Sequence, residues 1–288
     1  MGASANASSV LHGDLEDVVT GCISSAYGLV CLAATVLVLV AINRAPTTRG
    51  SSFAKLSTSM GFADCGILLV MVVWDGPMSA TSFSQSFSWA ASRVGRLLGS
   101  ALVLCWFASL FNLLATAINR AVAMAFPVHY RRIFTAASTT AVAGAFVIFC
   151  STFGEGCSTS YNPERYHWAY EASPCGQAIS YYVDYWLSLA IIALILFFNI
   201  IATLFLRKGN LELLGLDGTQ GSTGHAARKE MRRRQRQELR FFIVTLTNVG
   251  ALLFTTVCFH VLSRLSTGKW GAYFTGTFVI ILVQSSNG

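Results

Sequence analysis

One carboxylate, Asp64, stands in the middle of the apolar run from Leu56 to Trp74. A charge at that depth costs at least about 2.5 kcal/mol on insertion scales, so it requires polar partners or a proton. The run from Val94 to Ala117, continued by Ile118-Asn119-Arg120, offers such partners. Ser109, Asn112, Thr116 and Asn119 recur at spacings of three, four and three and so share one helix face. A polar stripe within a bilayer faces protein or a water-filled cavity rather than lipid, which makes Asp64, Ser109 and Asn112 a candidate intramembrane polar network. Arg120 closes the stripe, where a long cationic side chain reaches the headgroups or a cavity between helices. This chemistry holds water and charge; it is not arranged for hydrolysis. An aspartyl protease needs two facing acids, whereas Asp184 is expected at another depth than Asp64, with no Gly-x-Gly-Asp beside either. No C-x-x-C pair or His-Cys cluster suggests a metal, and no cofactor is expected.

The elements that position these residues follow from composition. Of 288 residues, 54% are hydrophobic and 11% charged, against about 25% charge in a typical soluble domain. A bilayer core of about 30 Å needs about 20 apolar residues in a helix. Candidate spans are Val18 to Ile42, Leu56 to Trp74, Val94 to Ala117, Ala136 to Phe153, Ile179 to Leu206, Phe241 to Leu262 and Gly271 to Val283. The expected fold is an all-α seven-helix membrane bundle. The fourth span is the least apolar. Gly95 and Gly99, four apart, permit close packing against a neighbour, so the third helix is expected to be central.

Orientation is set by Lys and Arg, which accumulate on the cytoplasmic side. An external N-terminus puts Arg44, Arg49, Lys55, Arg120, Arg131, Arg132 and the cluster from Arg207 to Arg240 inside, leaving Arg93, Arg96, Arg165, Arg264 and Lys269 outside. The acidic stretch Asp14, Glu16, Asp17 and the sequon Asn6-Ala7-Ser8, a glycosylation site on the luminal side only, agree with that choice. Residues 1–17 are then an extracellular N-terminus and 18–288 the membrane domain, with a second outer loop at about 154–178 and a third inner loop at about 207–240. The net charge of +7 is explained by this topology, without nucleic acid. The inner-loop run Arg228 to Glu238 is an anchor to anionic lipid or a contact surface for a partner.

An Arg closing the third helix, then an apolar stretch and Pro127-Val128-His129-Tyr130, in a seven-span chain with its N-terminus outside, resembles the rhodopsin-like G-protein-coupled receptors. Ile118-Asn119-Arg120 with Phe126-Pro127-Val128-His129-Tyr130-Arg131 more closely resembles the nematode serpentine receptors of class X, which are chemoreceptors. Cys157, Trp168, Tyr170, Pro174-Cys175-Gly176 and Tyr181-Tyr182-Val183-Asp184 are similar to that family's second outer loop.

The resemblance implies a plasma-membrane receptor that binds a small chemical ligand and activates a heterotrimeric G protein. Asn119, Arg120, Tyr130 and Arg131 become the candidate coupling residues. Most rhodopsin-like receptors carry an acid where Asn119 stands; Asn can hydrogen-bond the guanidinium without neutralising it, and Glu238 is an alternative resting partner for Arg120. An Asp in the second helix anchors a water and sodium network in such receptors, but Ala33-Ala34-Thr35 replaces the usual first-helix Asn. Trp74, Arg96, Tyr181, Asp184 and Tyr185 are ligand-pocket candidates, each also readable as an interfacial anchor. Many such receptors tie the outer loop to the top of the third helix, yet Arg93 to Gly99 contains no Cys, so a Cys157–Cys175 bridge within the loop is expected, holding Tyr161, Trp168 and Tyr170 as a lid.

A retinal protein is excluded by the lack of Lys from Gly271 to Gly288. A transporter or channel remains the alternative class, disfavoured by the single mid-span acid and the absence of visible inverted repeats. The 18 residues from Gly271 to Gly288 make about 27 Å of helix, which implies a truncated seventh helix, hence an incomplete or non-signalling receptor.

Overall fold

A computed structural model of the chain describes residues 3–44, 52–80, 92–125, 157–216 and 242–286. The expected fourth span and residues 217–240 of the third inner loop lie outside the described residues.

The first helix, Ala3–Arg44, contains no proline and ends just before Pro46. It begins well ahead of the expected Val18, although its stretch apolar enough for a membrane starts at Leu15. The second runs from Ser52–Val70 through a π-helical turn, Met71–Asp75, into Gly76–Ala80. The third is described over Arg93–Ala125. The fifth begins with a capped turn, Pro174–Ala178, in which Ser173 accepts from the Gly176 N–H at 2.9 Å and Pro174 occupies the first turn. It passes through π-helical Ile179–Leu187 and continues as Ser188–Leu216. The sixth helix spans Phe242–Leu265 and includes a π turn, Cys258–Leu262. The seventh segment consists of Lys269–Tyr273, a π turn Phe274–Phe278, and Val279–Ser286.

Five of these helices are long and apolar enough to cross a membrane. Leu68, Met71, Leu110, Ile195, Leu252 and Ile281 are buried completely, so the second, third, fifth, sixth and seventh segments meet in one core. Val30, Leu37, Leu97, Phe197 and Phe254 are exposed on the outside, where a water-soluble bundle would carry charge. The third helix packs between the second and the fifth, which places its polar stripe inside the bundle.

One end of the bundle is closed by a β-hairpin. Strand β1, Thr159–Asn162, pairs antiparallel with β2, His167–Tyr170, setting Tyr161 opposite Trp168. Asn162 Oδ1 accepts the Glu164 N–H at 2.9 Å in the turn, and Tyr166 takes a left-handed backbone with φ 51°. The Cys157–Cys175 disulfide joins the two flanks of the hairpin.

Candidate functional site

The hairpin is sunk into the bundle. Tyr161, Tyr166 and Trp168 have no more than 2% of their surface exposed, so they form a plug built into the core. Gly99 makes room for it: a Cβ there would collide with the Thr159 carbonyl oxygen. The close approach thus serves the hairpin as well as a helix. Tyr161 shares a 2.6 Å hydrogen bond with Ser79 of the second helix, and Thr277 of the seventh segment donates to the Tyr166 carbonyl at 2.6 Å. The Tyr166 hydroxyl donates to Asp17, which also lies 3.6 Å from Lys269 Nζ. Burial pushes the Tyr161 and Tyr166 phenols well above their ordinary range, so both remain protonated donors.

Beside the plug lies a cavity of about 50 Å³ walled by apolar Ile67, Leu102 and Ile280 and aromatic Trp106, Trp168 and Phe259, with Asp184 and His260 at its edge. His260 Nε2 is 3.2 Å from Asp184 Oδ2, and both side chains are nearly enclosed. Tyr185 packs its ring 5.2 Å from that of His260. A wider chamber of about 550 Å³ shares Trp168, Tyr170, Phe259 and His260 and adds Glu171, Tyr181 and Arg264.

The pocket candidates therefore separate. Asp184 lines the deep cavity, and Tyr185 supports it through His260. Tyr181 lines the wider chamber but is 48% exposed, stacked with Tyr185 on the outer surface of its helix. Arg96 touches neither space; its guanidinium is 4.0 Å from Glu171. Trp74 is also removed from both cavities and buried, because the π turn at Met71–Asp75 directs it inward.

At mid-depth, Ser109 donates to Asp64 Oδ1 at 2.7 Å, with both side chains buried. Asn112 does not join them. Its Nδ2 donates to the Ala108 carbonyl at 2.8 Å, satisfying the amide within its own helix. On the first helix Thr35 likewise bonds back to Cys31 at 2.9 Å.

Toward the end opposite the hairpin, Arg120 Nη1 donates to Asn199 Oδ1 at 3.2 Å and to Thr245 Oγ1 at 3.3 Å. One guanidinium thus links the third, fifth and sixth helices. Asn119, which is able to hydrogen-bond a guanidinium, has its Oδ1 buried with no hydrogen-bond partner among the described residues. Tyr130, Arg131 and Glu238 lie outside the described residues, and Asn6 sits in the first helix with its side chain outside the described set.

His260 and the partners of Arg120 were missed in the sequence. Asp75 is fully buried and accepts the Trp168 indole N–H at 3.1 Å, although sequence placed it at a helix end. Asn199 and His260 are single polar residues within apolar runs, a signal present but easily read as incidental. Among the described residues, no cluster of His, Cys, Asp and Glu could hold a metal ion.

No curated protein matches the chain. The family described as serpentine type 7TM GPCR chemoreceptor Srx matches residues 23–288, which takes in every segment of the bundle, the hairpin, the cavity and Arg120. The chain is thus a multi-pass membrane protein that belongs to the Srx family of serpentine seven-transmembrane chemoreceptors.

Proposed function

We propose that the protein is a chemosensory receptor of a sensory-cell plasma membrane that binds a small molecule in the cavity beneath the hairpin and activates a cytoplasmic G protein through the surface around Arg120. One observation carries this reading: the sixth helix has His260 at the cavity and Thr245 at Arg120. Fifteen positions separate them, about 22 Å of helix at 1.5 Å per residue. A ligand that shifts His260 moves the rod that holds Thr245, and the Arg120 tie is what that movement breaks. Asn119, Tyr130 and Arg131 are assigned to the same coupling surface, and Asp64 with Ser109 to the packing that keeps the second and third helices in step.

The test is a ligand screen in cells expressing the full chain, with surface level and second-messenger output measured together. Arg120→Ala is expected to reach the surface normally and to lose the ligand response. A full response from Arg120→Ala at normal surface level would reduce Arg120 to a membrane anchor and remove the coupling assignment.

A further inference from the structure

We propose that the cavity selects small organic amines, the ammonium group held by Asp184 beside the aromatic faces of Trp106, Trp168 and Phe259. The inference rests on the ligand-binding reading above and narrows it to a chemical class.

The polar groups around the deep cavity include Asp184 and two threonine hydroxyls as acceptors beside the donors of Trp106, Tyr170 and His260. Thr255 donates to the Ala251 carbonyl at 3.0 Å and Thr256 to the Leu252 carbonyl at 2.9 Å, so each hydroxyl turns only lone pairs outward. Asp184 meets His260 through one carboxylate oxygen, and among the described residues no Lys or Arg pairs with it. A carboxylate has about four lone-pair sites, and the His260 contact engages one of them. The cavity therefore holds an acid that no Lys or Arg among the described residues neutralises. Trp106, Trp168 and Phe259 line the same cavity as that acid, and a desolvated cation is attracted to aromatic faces through the ring quadrupole.

A carboxylic acid ligand meets the opposite chemistry. Asp184 repels it, and Arg264 is an exposed residue of the wider chamber rather than of the deep cavity. An alcohol hydrogen-bonds but brings no charge. Trp106 Nε1, buried and without a partner among the described residues, supplies one donor, which suits an oxygen acceptor elsewhere on the amine's body.

Thermal unfolding of the purified full-length protein, measured with ethanolamine, ethylene glycol and glycolic acid, which are small enough for a cavity of about 50 Å³, at equal concentrations and neutral pH, reads binding independently of any G protein. The amine is expected to raise the Tm and the other two to leave it unchanged. Asp184→Asn should weaken amine binding about 10- to 100-fold, the loss of one charge-assisted contact. His260→Gln, which keeps a donor for Asp184, should retain the preference for the amine. Stabilisation by the alcohol or the acid in place of the amine overturns the assignment while leaving a ligand-binding receptor. Stabilisation by none of the three, equal stabilisation by all, or an undiminished amine effect in folded Asp184→Asn also overturns it. If Asp184→Asn does not fold, the three probes on the unaltered protein decide. The Arg120→Ala cell assay tests coupling separately, so the two readings fail by different measurements.

Discussion

Trp168 donates its indole N–H to Asp75 Oδ2 at 3.1 Å, joining the second strand of the hairpin to the π-helical turn of the second helix in a site without solvent access. Asp75 Oδ1 has no hydrogen-bond partner among the described residues, so the indole is the one donor on this carboxyl group. Leaving a buried polar group unpaired costs about 1–3 kcal/mol, whereas replacing both partners by apolar groups is nearly neutral. Trp168→Phe is therefore expected to lower the Tm of the purified receptor by several degrees. Asp75→Leu added to Trp168→Phe should recover much of that loss. A double variant melting below the single one would show that the pair contributes by packing and not through this bond.

Gly99 and Gly250 form a matched pair. A methyl group at Gly99 meets the Thr159 carbonyl, while at Gly250 nothing lies within 4 Å. Gly99→Ala is expected to lift the hairpin and reduce both Tm and surface level. Gly250→Ala should stabilise by about 0.5–1 kcal/mol, the usual gain from replacing a helical glycine. Melting curves of the two variants side by side test this, and equal behaviour would rule out a steric role for Gly99.

Ser109 gives Asp64 its donor, so Ser109→Ala and Asp64→Asn act on the two sides of one contact. Ser109→Ala strands the acid and is expected to cost about 1–3 kcal/mol. Asp64→Asn keeps a polar side chain with no charge to desolvate, and should match or exceed the parent in Tm. Its ligand response, read in the same cells, reports whether the charge itself has a signalling role; identical output would show that it has none.

His167 gives the receptor a dependence on acidity. Burial, reinforced by the Arg165 charge, holds its imidazole below the ordinary value of 6.5. The unfolded chain then takes up the proton first, so the stability provided by neutral His167 is complete above about pH 6.5 and declines as pH falls from there toward the lowered folded value. Tm measured from pH 7.5 down to 5 should drop less steeply for His167→Gln than for the parent. Parallel curves would mean that other groups set the acid sensitivity.

The positions of the described helices were legible because an apolar run of membrane length has few alternatives. The 3-4-3 spacing that includes Ser109 was legible for the same geometric reason, being local to one helix. Asp184 with His260 was not, since each stands alone in its own run and only the packing of the fifth helix against the sixth brings them together. The hairpin escaped notice because Thr159–Asn162 and His167–Tyr170 are four residues each, too short to show an alternating pattern. Asn112 illustrates the reverse error: it shares the face with Ser109, yet an amide can satisfy itself on the preceding turn and needs no partner across the helix interface.

The π-helical turns Met71–Asp75, Ile179–Leu187, Cys258–Leu262 and Phe274–Phe278 all lie toward the hairpin end of their segments, and they carry Asp75, Asp184 and His260. A π turn accommodates an additional residue in a helix, and removing that residue rotates everything on one side of it by about 100° relative to the other. The described helices are thereby divided into two parts of independent register. Gain or loss of a single residue near the hairpin re-aims Asp75, Asp184 and His260, while the α-helical register that brings Arg120, Asn199 and Thr245 together is left as it was. If the proposed reading of the two ends holds, ligand preference can be changed by re-phasing the helix ends without disturbing the contacts of Arg120.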